Sequence, residues 1–155
     1  MNTVIIKVIM VCMATLSSFY TPTTIYNPVN GILVGTKIDQ NIASDPQKII
    51  DNLIMVPKGT KVLSYYTKNN MGFLDLSHDF TDTVVEGEEN TVLMVYSIVD
   101  TFCSTKGIDT LCIDTEGRMQ FIQIKEKPLP IIFHGVKDGE DDSYEKIVKR
   151  LNLAN

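Results

Sequence analysis

Four residues close together in the chain carry the side-chain types of a hydrolytic triad. They are Asp75, Ser77, His78 and Asp79, all within five consecutive positions. A working triad needs a nucleophile, a base, a group that orients the base and a site that stabilises an oxyanion, and these are normally gathered from distant parts of a chain. Neighbours at the end of one strand seldom converge in this way. We therefore interpret Asp75 as a strand-end or turn residue and His78 as an exposed loop residue.

A second chemical pattern resembles the guanine-reading element of small GTPases. Residues 32–39 read Ile-Leu-Val-Gly-Thr-Lys-Ile-Asp, in which Asp39 follows Lys37. The sequence has no G-x-x-x-x-G-K-[ST] loop that could hold phosphates, so we predict no nucleotide binding. His78 and His134 are its only histidines, and neither has Cys or acidic partners at metal-ligand spacing. With no defensible pair of glycosidase carboxylates either, the sequence predicts no catalytic, cofactor-binding or metal site, and no enzyme.

Composition limits the class of protein further. The 155 residues suffice for one domain of ordinary size, and a hydrophobic share of 44% is normal for a globular fold. The net charge of −5 argues against a nucleic-acid binder, which needs a basic surface to replace phosphate counterions. Much of the acidity lies in one run, which we interpret as a solvated turn or tail: Asp138, Glu140, Asp141 and Asp142.

Three cysteines are too few for a disulfide scaffold. Cys103 and Cys112 lie in apolar patterns, where a thiol usually behaves as a small core side chain. A disulfide between them is the alternative if the domain is exported, and the sequence does not show whether they are close enough.

The first twenty residues predict an export signal or a weak membrane anchor. Lys7 supplies a positive charge, and residues 8–16 form a short apolar run. The run falls short of the about 20 apolar residues that span a bilayer, and Val11 before Cys12 departs from a lipoprotein signal. A buried N-terminal strand is the alternative interpretation.

The rest of the chain predicts two hairpins, each followed by a helix, and a closing pair of strands. Turn residues, strand formers and helical periodicity place these elements. The first helix begins at Asp45 and Pro46, a capping residue followed by a proline at the first helical position. The expected elements are strands 23–26 and 32–38, a helix with Ile49, Ile50, Leu53 and Ile54 on its apolar face, strands 61–68 and 71–76, a long helix from Gly87 to Gly107, and strands 108–113 and 119–124.

The predicted order is therefore β-β-α-β-β-α-β-β, an α/β (α+β) fold of two layers with the helices on one face of a mixed or antiparallel sheet. We assign residues 1–20 to the signal or anchor, 23–124 to the domain and 125–155 to a C-terminal appendage. The appendage contains Ile131–Phe133 and a short helix from Ser143 to Leu153. The apolar stripe of that helix can dock on the domain or on a partner, and we expect docking within the chain.

Several residues, in this order, resemble the GerMN family of sporulation and spore germination proteins. The most specific are a Pro-Lys-Gly-Thr turn, an Asp-Leu-Ser strand end followed by an aromatic residue, and a helix motif of the form S-[IL]-V-[ND]-T. The chain spaces its first helix more closely to the Pro-Lys-Gly-Thr turn than the family usually does. The matching elements are Ile25-Tyr26, Leu33-Val34, Asp45-Pro46, residues 56–61, residues 74–77 with Phe80, residues 96–101, and Gly107-Ile108.

This resemblance implies a function exerted through surfaces. Members look like ring-building or scaffold modules outside the membrane of spore-forming bacteria, so the expected protein is a non-enzymatic, extracytoplasmic assembly module of sporulation or germination, membrane-associated or secreted. The expected partners are proteins, in a homo- or hetero-oligomer, with membrane association through the N-terminus and without cofactors, nucleotides or nucleic acid. A small-ligand or cell-wall-binding module is the alternative.

Overall fold

The computed structural model describes residues 23–82, 86–119, 123–124, 127–128, 132–136 and 140–151. The predicted signal or anchor at residues 1–20 lies outside these ranges, as do parts of the predicted strand 119–124 and the end of the predicted C-terminal helix. Within the described residues, no helix has the length and apolar character needed to cross a membrane.

The first hairpin forms a small antiparallel sheet. Strands β1 (Thr24–Val29) and β2 (Ile32–Lys37) pair along their whole length. Asn30 and Gly31 both have positive φ and make the two-residue turn that such hairpins favour. The hairpin agrees with the prediction, but β1 continues past residue 26, where the predicted strand ends, and runs through Pro28. A strand at the edge of a sheet tolerates proline because the missing N–H need not enter the ladder.

Two short helices and a tight turn link this hairpin to the second. They are α1 (Gln40–Ala43), which was not predicted, and α2 (Pro46–Asp51), which was. The Asp45 carboxylate accepts a hydrogen bond from the Gln47 amide at 2.9 Å, which confirms the predicted cap. The prediction for Ile54 is wrong: its exposed fraction is 69%, because α2 ends at Asp51 and the helical spacing stops there.

The second hairpin begins a mixed sheet. Strands β3 (Val62–Lys68) and β4 (Met71–Leu76) are antiparallel, as predicted, with Asn69 and Asn70 in the turn. After a short helix α3 (Asp79–Asp82) and the long helix α4 (Glu88–Lys106), strand β5 (Thr110–Thr115) lies parallel to β4. The chain therefore crosses over through α4, as a parallel pair requires.

The remaining strands are short. Strand β6 (Arg118–Met119) pairs with β5, and β7 (Gln123–Ile124) pairs with β8 (Lys127–Pro128) in a separate two-stranded ladder. The fold is mixed α/β, as predicted, and its strands divide among a three-stranded sheet, a five-stranded sheet and the two-stranded ladder of β7 and β8.

The described residues after 131 contribute to both sheets. Strand β9 (Ile132–His134) pairs with β5, and β10 (Asp142–Ser143) pairs with β2. Helix α5 (Tyr144–Arg150) then packs on α4, and its Ile147 and Val148 are buried. The expected docking within the chain is confirmed.

Helix α4 is the centre of the core. Every residue from Val92 to Cys103 is buried, which is typical of a helix enclosed on all sides rather than packed on one face. It contacts β1 and β2 of the first sheet, β5 and β9 of the second, and α5. Gly107 ends it in the left-handed conformation, as predicted.

One hydrogen bond fastens α4 to the edge of the first sheet. The Tyr26 backbone N–H on β1 donates to the Thr101 hydroxyl oxygen at 2.9 Å, and both groups are buried. Because β1 is an edge strand, its outward amides need a partner other than a strand. The Thr101 side chain supplies that acceptor.

Replacing Thr101 by Val keeps the shape of the side chain but removes this acceptor. We expect the free energy of unfolding to fall by about 1–3 kcal/mol, the cost of leaving a buried amide without a partner. Chemical denaturation measures the difference. Thr105→Val is the matched control: its hydroxyl donates to a helix carbonyl at 2.7 Å, and its loss should cost less than about 1 kcal/mol. Equal losses for the two variants would contradict the edge-fastening role.

Candidate functional site

The residues of the triad-like cluster are bound in separate structural contacts. The Ser77 hydroxyl donates to the Asp79 carboxylate at 2.8 Å and accepts from the Lys61 amide at 2.9 Å. The Asp75 carboxylate accepts from the Gly117 amide at 3.0 Å and so holds the β5–β6 turn. Asp75 is thus a turn-binding residue, as interpreted from the sequence. Since the Ser77 hydroxyl donates to a carboxylate and not to the imidazole, this arrangement does not activate a nucleophile.

His78 is exposed, as predicted, and it faces acidic side chains. Its Nδ1 lies 2.9 Å from a Glu116 carboxylate oxygen, and its Nε2 lies 3.8 Å from Asp82. The hydrogen bond to Glu116, followed by the charges of Asp79 and Asp82, raises the pKa of the imidazole above its usual value. Nowhere in the described ranges do three or more His, Cys, Asp or Glu side chains gather in a way that could hold a metal ion.

Cys103 and Cys112 are both buried free thiols. Burial, with a smaller effect from the Asp100 carboxyl, raises the pKa of Cys103 to about 12. Burial and then Asp114 raise the pKa of Cys112. A thiol with a raised pKa holds its proton at neutral pH and is a poor nucleophile, which agrees with the sequence interpretation of both residues as core side chains.

The structure reveals a buried charge cluster that the sequence analysis missed, between α4 and the C-terminal segment. The Asp100 carboxyl is buried on α4, and its Oδ1 accepts from the Val136 amide at 3.0 Å. Asp142 on β10 is also fully buried, so its assignment to a solvated turn or tail is wrong. Arg150 on α5 binds Asp142 through two guanidinium nitrogens, at 3.2 and 2.5 Å. The Arg150 guanidinium also lies over the Tyr96 ring, 5.1 Å from its centroid.

The two buried carboxyl groups of this cluster, Asp100 and Asp142, lie too close together for both to be ionised at low cost. Burial, followed by the nearby Asp142, raises the pKa of Asp100 well above its usual range. Its Oδ2 is buried and has no hydrogen-bond partner among the described residues. A proton on Asp100 resolves both problems, since a neutral carboxyl can donate to Asp142 and still accept from Val136. The [ND] position of the GerMN helix motif is this residue, and Asn supplies the same neutral donor and acceptor.

The second sheet presents an outward face on which apolar side chains align, which we call the open face. Tyr66, Phe73, Cys112 and Ile132 are successive register partners across β3, β4, β5 and β9, so their side chains share this face. The Tyr66 and Phe73 rings stack, with centroids 4.8 Å apart. Tyr66 is 56% exposed and Ile132 is 42% exposed, while Phe73 is half-buried and the smaller Cys112 between its neighbours is buried. Leu74 and Phe133, which alternate to the other face, are buried.

Two clefts indent the surface of the described residues. One, of about 440 Å³, is formed by residues 50–54 and 56–60 and includes the Pro-Lys-Gly-Thr turn, in which Gly59 has a φ of 97°. The other, of about 500 Å³, lies beside the end of α4 and is lined by Cys103, Ser104, Gly107, Ile108, Asp109, His134, Gly135 and Val136. Both volumes fall within the range of small-molecule sites.

Comparison with models of known protein families identifies the family of this chain. The family model described as "Germane: Sporulation and spore germination" matches residues 19–120, about two thirds of the chain. The chain belongs to the Germane family. This confirms the resemblance drawn from the sequence, and the match contains both hairpins, α4, β5 and β6.

Other comparisons with the Germane chain add little. No curated protein matches it. A crystal structure described as "Putative Lipoprotein from Clostridium perfringens" is similar at 17% sequence identity, over 81% of this chain and 89% of that one, with a TM-score of 0.49.

The acid pair predicts how stability depends on pH. The folded protein retains a proton on Asp100 that the unfolded chain releases near pH 4. The stability contributed by this proton is complete at low pH and is lost as the pH rises through the raised pKa of Asp100. Asp100→Asn should therefore become more stable than the parent protein as the pH rises, by up to about 1.4 kcal/mol per pH unit. Denaturant unfolding from pH 4 to pH 8 measures this difference.

Asp142→Asn is the matched control, because it makes the same replacement of a carboxyl group by a carboxamide at the other acidic residue of the pair. It removes the ion-pair partner of the Arg150 guanidinium and should lower the free energy of unfolding near neutral pH by about 3 kcal/mol. If Asp100→Asn loses stability with rising pH as steeply as the parent protein, Asp100 is not the group that titrates.

Proposed function

We propose that this Germane chain is an extracytoplasmic assembly module of sporulation or spore germination, which acts by binding other proteins and catalyses no reaction. The observation that carries the proposal is the open face: an apolar row across four strands, in which the outer side chains Tyr66 and Ile132 are exposed, on a domain whose potentially reactive groups take part in structural contacts. Aromatic residues with large exposed area are enriched in protein interfaces.

The state of the potentially reactive groups supports the non-enzymatic part of the proposal. The Ser77 hydroxyl is bound to Asp79, the Cys103 thiol is buried with a raised pKa, and Asp100 takes part in a structural acid pair. An active site needs such groups poised at a cleft that a substrate can enter. Cys103 lines the second cleft, but its thiol holds its proton, and Ser77 and Asp100 are bound in structural contacts.

The extracytoplasmic location is supported by the family and by the N-terminal sequence. The Germane description names sporulation and spore germination, and residues 1–20 combine a positive charge with a short apolar run. Under this proposal the N-terminal segment exports the chain or holds it at the membrane, and the domain meets its partners outside the cytoplasm.

Fractionation of a spore-forming host that expresses a tagged copy tests the proposal. We expect the tagged chain in the membrane or extracytoplasmic fraction, open to protease added from outside the cytoplasmic membrane, and cross-linked with other proteins in a complex larger than the chain. A copy that lacks residues 1–20 is the matched control and should remain inside the cytoplasm. Recovery of the complete chain as a soluble cytoplasmic protein would overturn the proposal.

A further inference from the structure

The open face has three parallel rows of side chains, and register fixes their order. The central row is the apolar one: Tyr66, Phe73, Cys112 and Ile132. A second row lies on one side of the apolar row, two residues away from it on each strand. It consists of Ser64, Asp75 and Asp114, and we call it the acidic row. A third row lies on the opposite side of the apolar row, again two residues away from it. It consists of Lys68, Met71, Thr110 and His134, and we call it the basic row. Side chains two residues apart on a strand point to the same side, so all three rows share the open face.

Charge is therefore distributed unequally on the two sides of the apolar row. The acidic row carries two carboxylates, Asp75 and Asp114, and the basic row carries the Lys68 ammonium and the His134 imidazole. The outermost members, Ser64, Lys68 and His134, are exposed. A partner that fits this face must bring an apolar stripe, with cationic or donor groups on one side and acidic groups on the other.

A second copy of the same chain satisfies that requirement. A two-fold axis parallel to the apolar row places the apolar rows of two copies against each other. The same rotation reverses the strand direction, so the acidic row of each copy meets the basic row of the other. A two-fold axis parallel to the strands would instead set acidic row against acidic row. We propose that the open face is a self-complementary dimer surface, in which two copies pack sheet against sheet about the first of these axes.

The size of the face predicts a weak dimer. Four strands at about 4.8 Å and three rows at about 6.8 Å span about 400 Å² per copy, or about 800 Å² in total. Stable complexes usually bury about 1,200 Å² or more, so the dimer should form only at high concentration, as on a crowded membrane surface or within a larger assembly. This inference rests on the proposed assembly role and specifies one of its contacts.

Analytical ultracentrifugation of the purified chain, from about 10 µM to about 1 mM, tests the surface. We expect concentration-dependent dimers that weaken when salt is raised from about 0.05 M to about 0.5 M. Tyr66→Thr removes the most exposed side chain of the apolar row while keeping strand propensity, and should raise the dissociation constant at least about tenfold. Ile54→Thr is the matched control. It removes an exposed apolar side chain that lies away from the open face, and it should leave the dimer unchanged.

A charge exchange tests the orientation of the two copies. The proposed axis sets Lys68 of one copy over Ser64 of the other, and both residues are exposed, so neither substitution should disturb folding. Ser64→Lys alone should weaken the dimer severalfold, because it places a second ammonium group over Lys68. Lys68→Glu alone should also weaken it, because it removes the cation of the basic row and sets a carboxylate against the acidic row of the other copy. In the double variant the new carboxylate and the new ammonium group face each other, so it should recover most of the parent affinity.

Some results would overturn the dimer surface without touching the proposed function. A monomer at every concentration, or dimers that Tyr66→Thr does not weaken, would show that copies do not meet through the open face. Failure of the double variant to recover affinity would overturn the proposed axis. The chain could still join a complex with other proteins in cells, which the fractionation experiment measures independently.

Discussion

Two adjacent polar residues in the middle of the long helix, Asp100 and Thr101, bind the backbone amides of two different parts of the fold. Thr101 accepts from Tyr26 at the edge of the first sheet, and Asp100 accepts from Val136 next to the second. A helix buried on all sides cannot satisfy neighbouring amides with water, so its own side chains must supply the acceptors. These two bonds fasten α4 to the edge of the first sheet and to the C-terminal segment.

The acid pair follows from the same constraint. Asp100 needs an oxygen for the Val136 amide, yet burial beside Asp142 disfavours a second negative charge. Arg150 pairs with Asp142 and packs against the Tyr96 ring, so the C-terminal helix is held by an ion pair as well as by apolar contacts. Polar side chains of the types used in catalysis thus connect the elements of the fold in this protein.

Local signals in the sequence predicted most of the elements. Asp45 with Pro46, the Asn69-Asn70 turn and Gly107 each act through the conformation of a few neighbouring residues, so they could be recognised without knowing the fold. Ile54 was assigned to a helix face because apolar spacing continues past the point where α2 ends. Long-range pairings were beyond sequence reasoning: nothing near Asp142 shows that it meets Arg150 and Asp100, and the division of the strands into two sheets depends on contacts across the whole chain.

The central claim is that α4 joins both sheets and the C-terminal segment into one cooperative unit, and native-state hydrogen exchange tests it most directly. The amides of Tyr26, of Val136 and of residues 147–150 should exchange only through global unfolding, with opening free energies equal to the unfolding free energy from denaturation. Exchange of Val136 and residues 147–150 through a separate opening of much lower free energy, while Tyr26 remains protected, would contradict the claim.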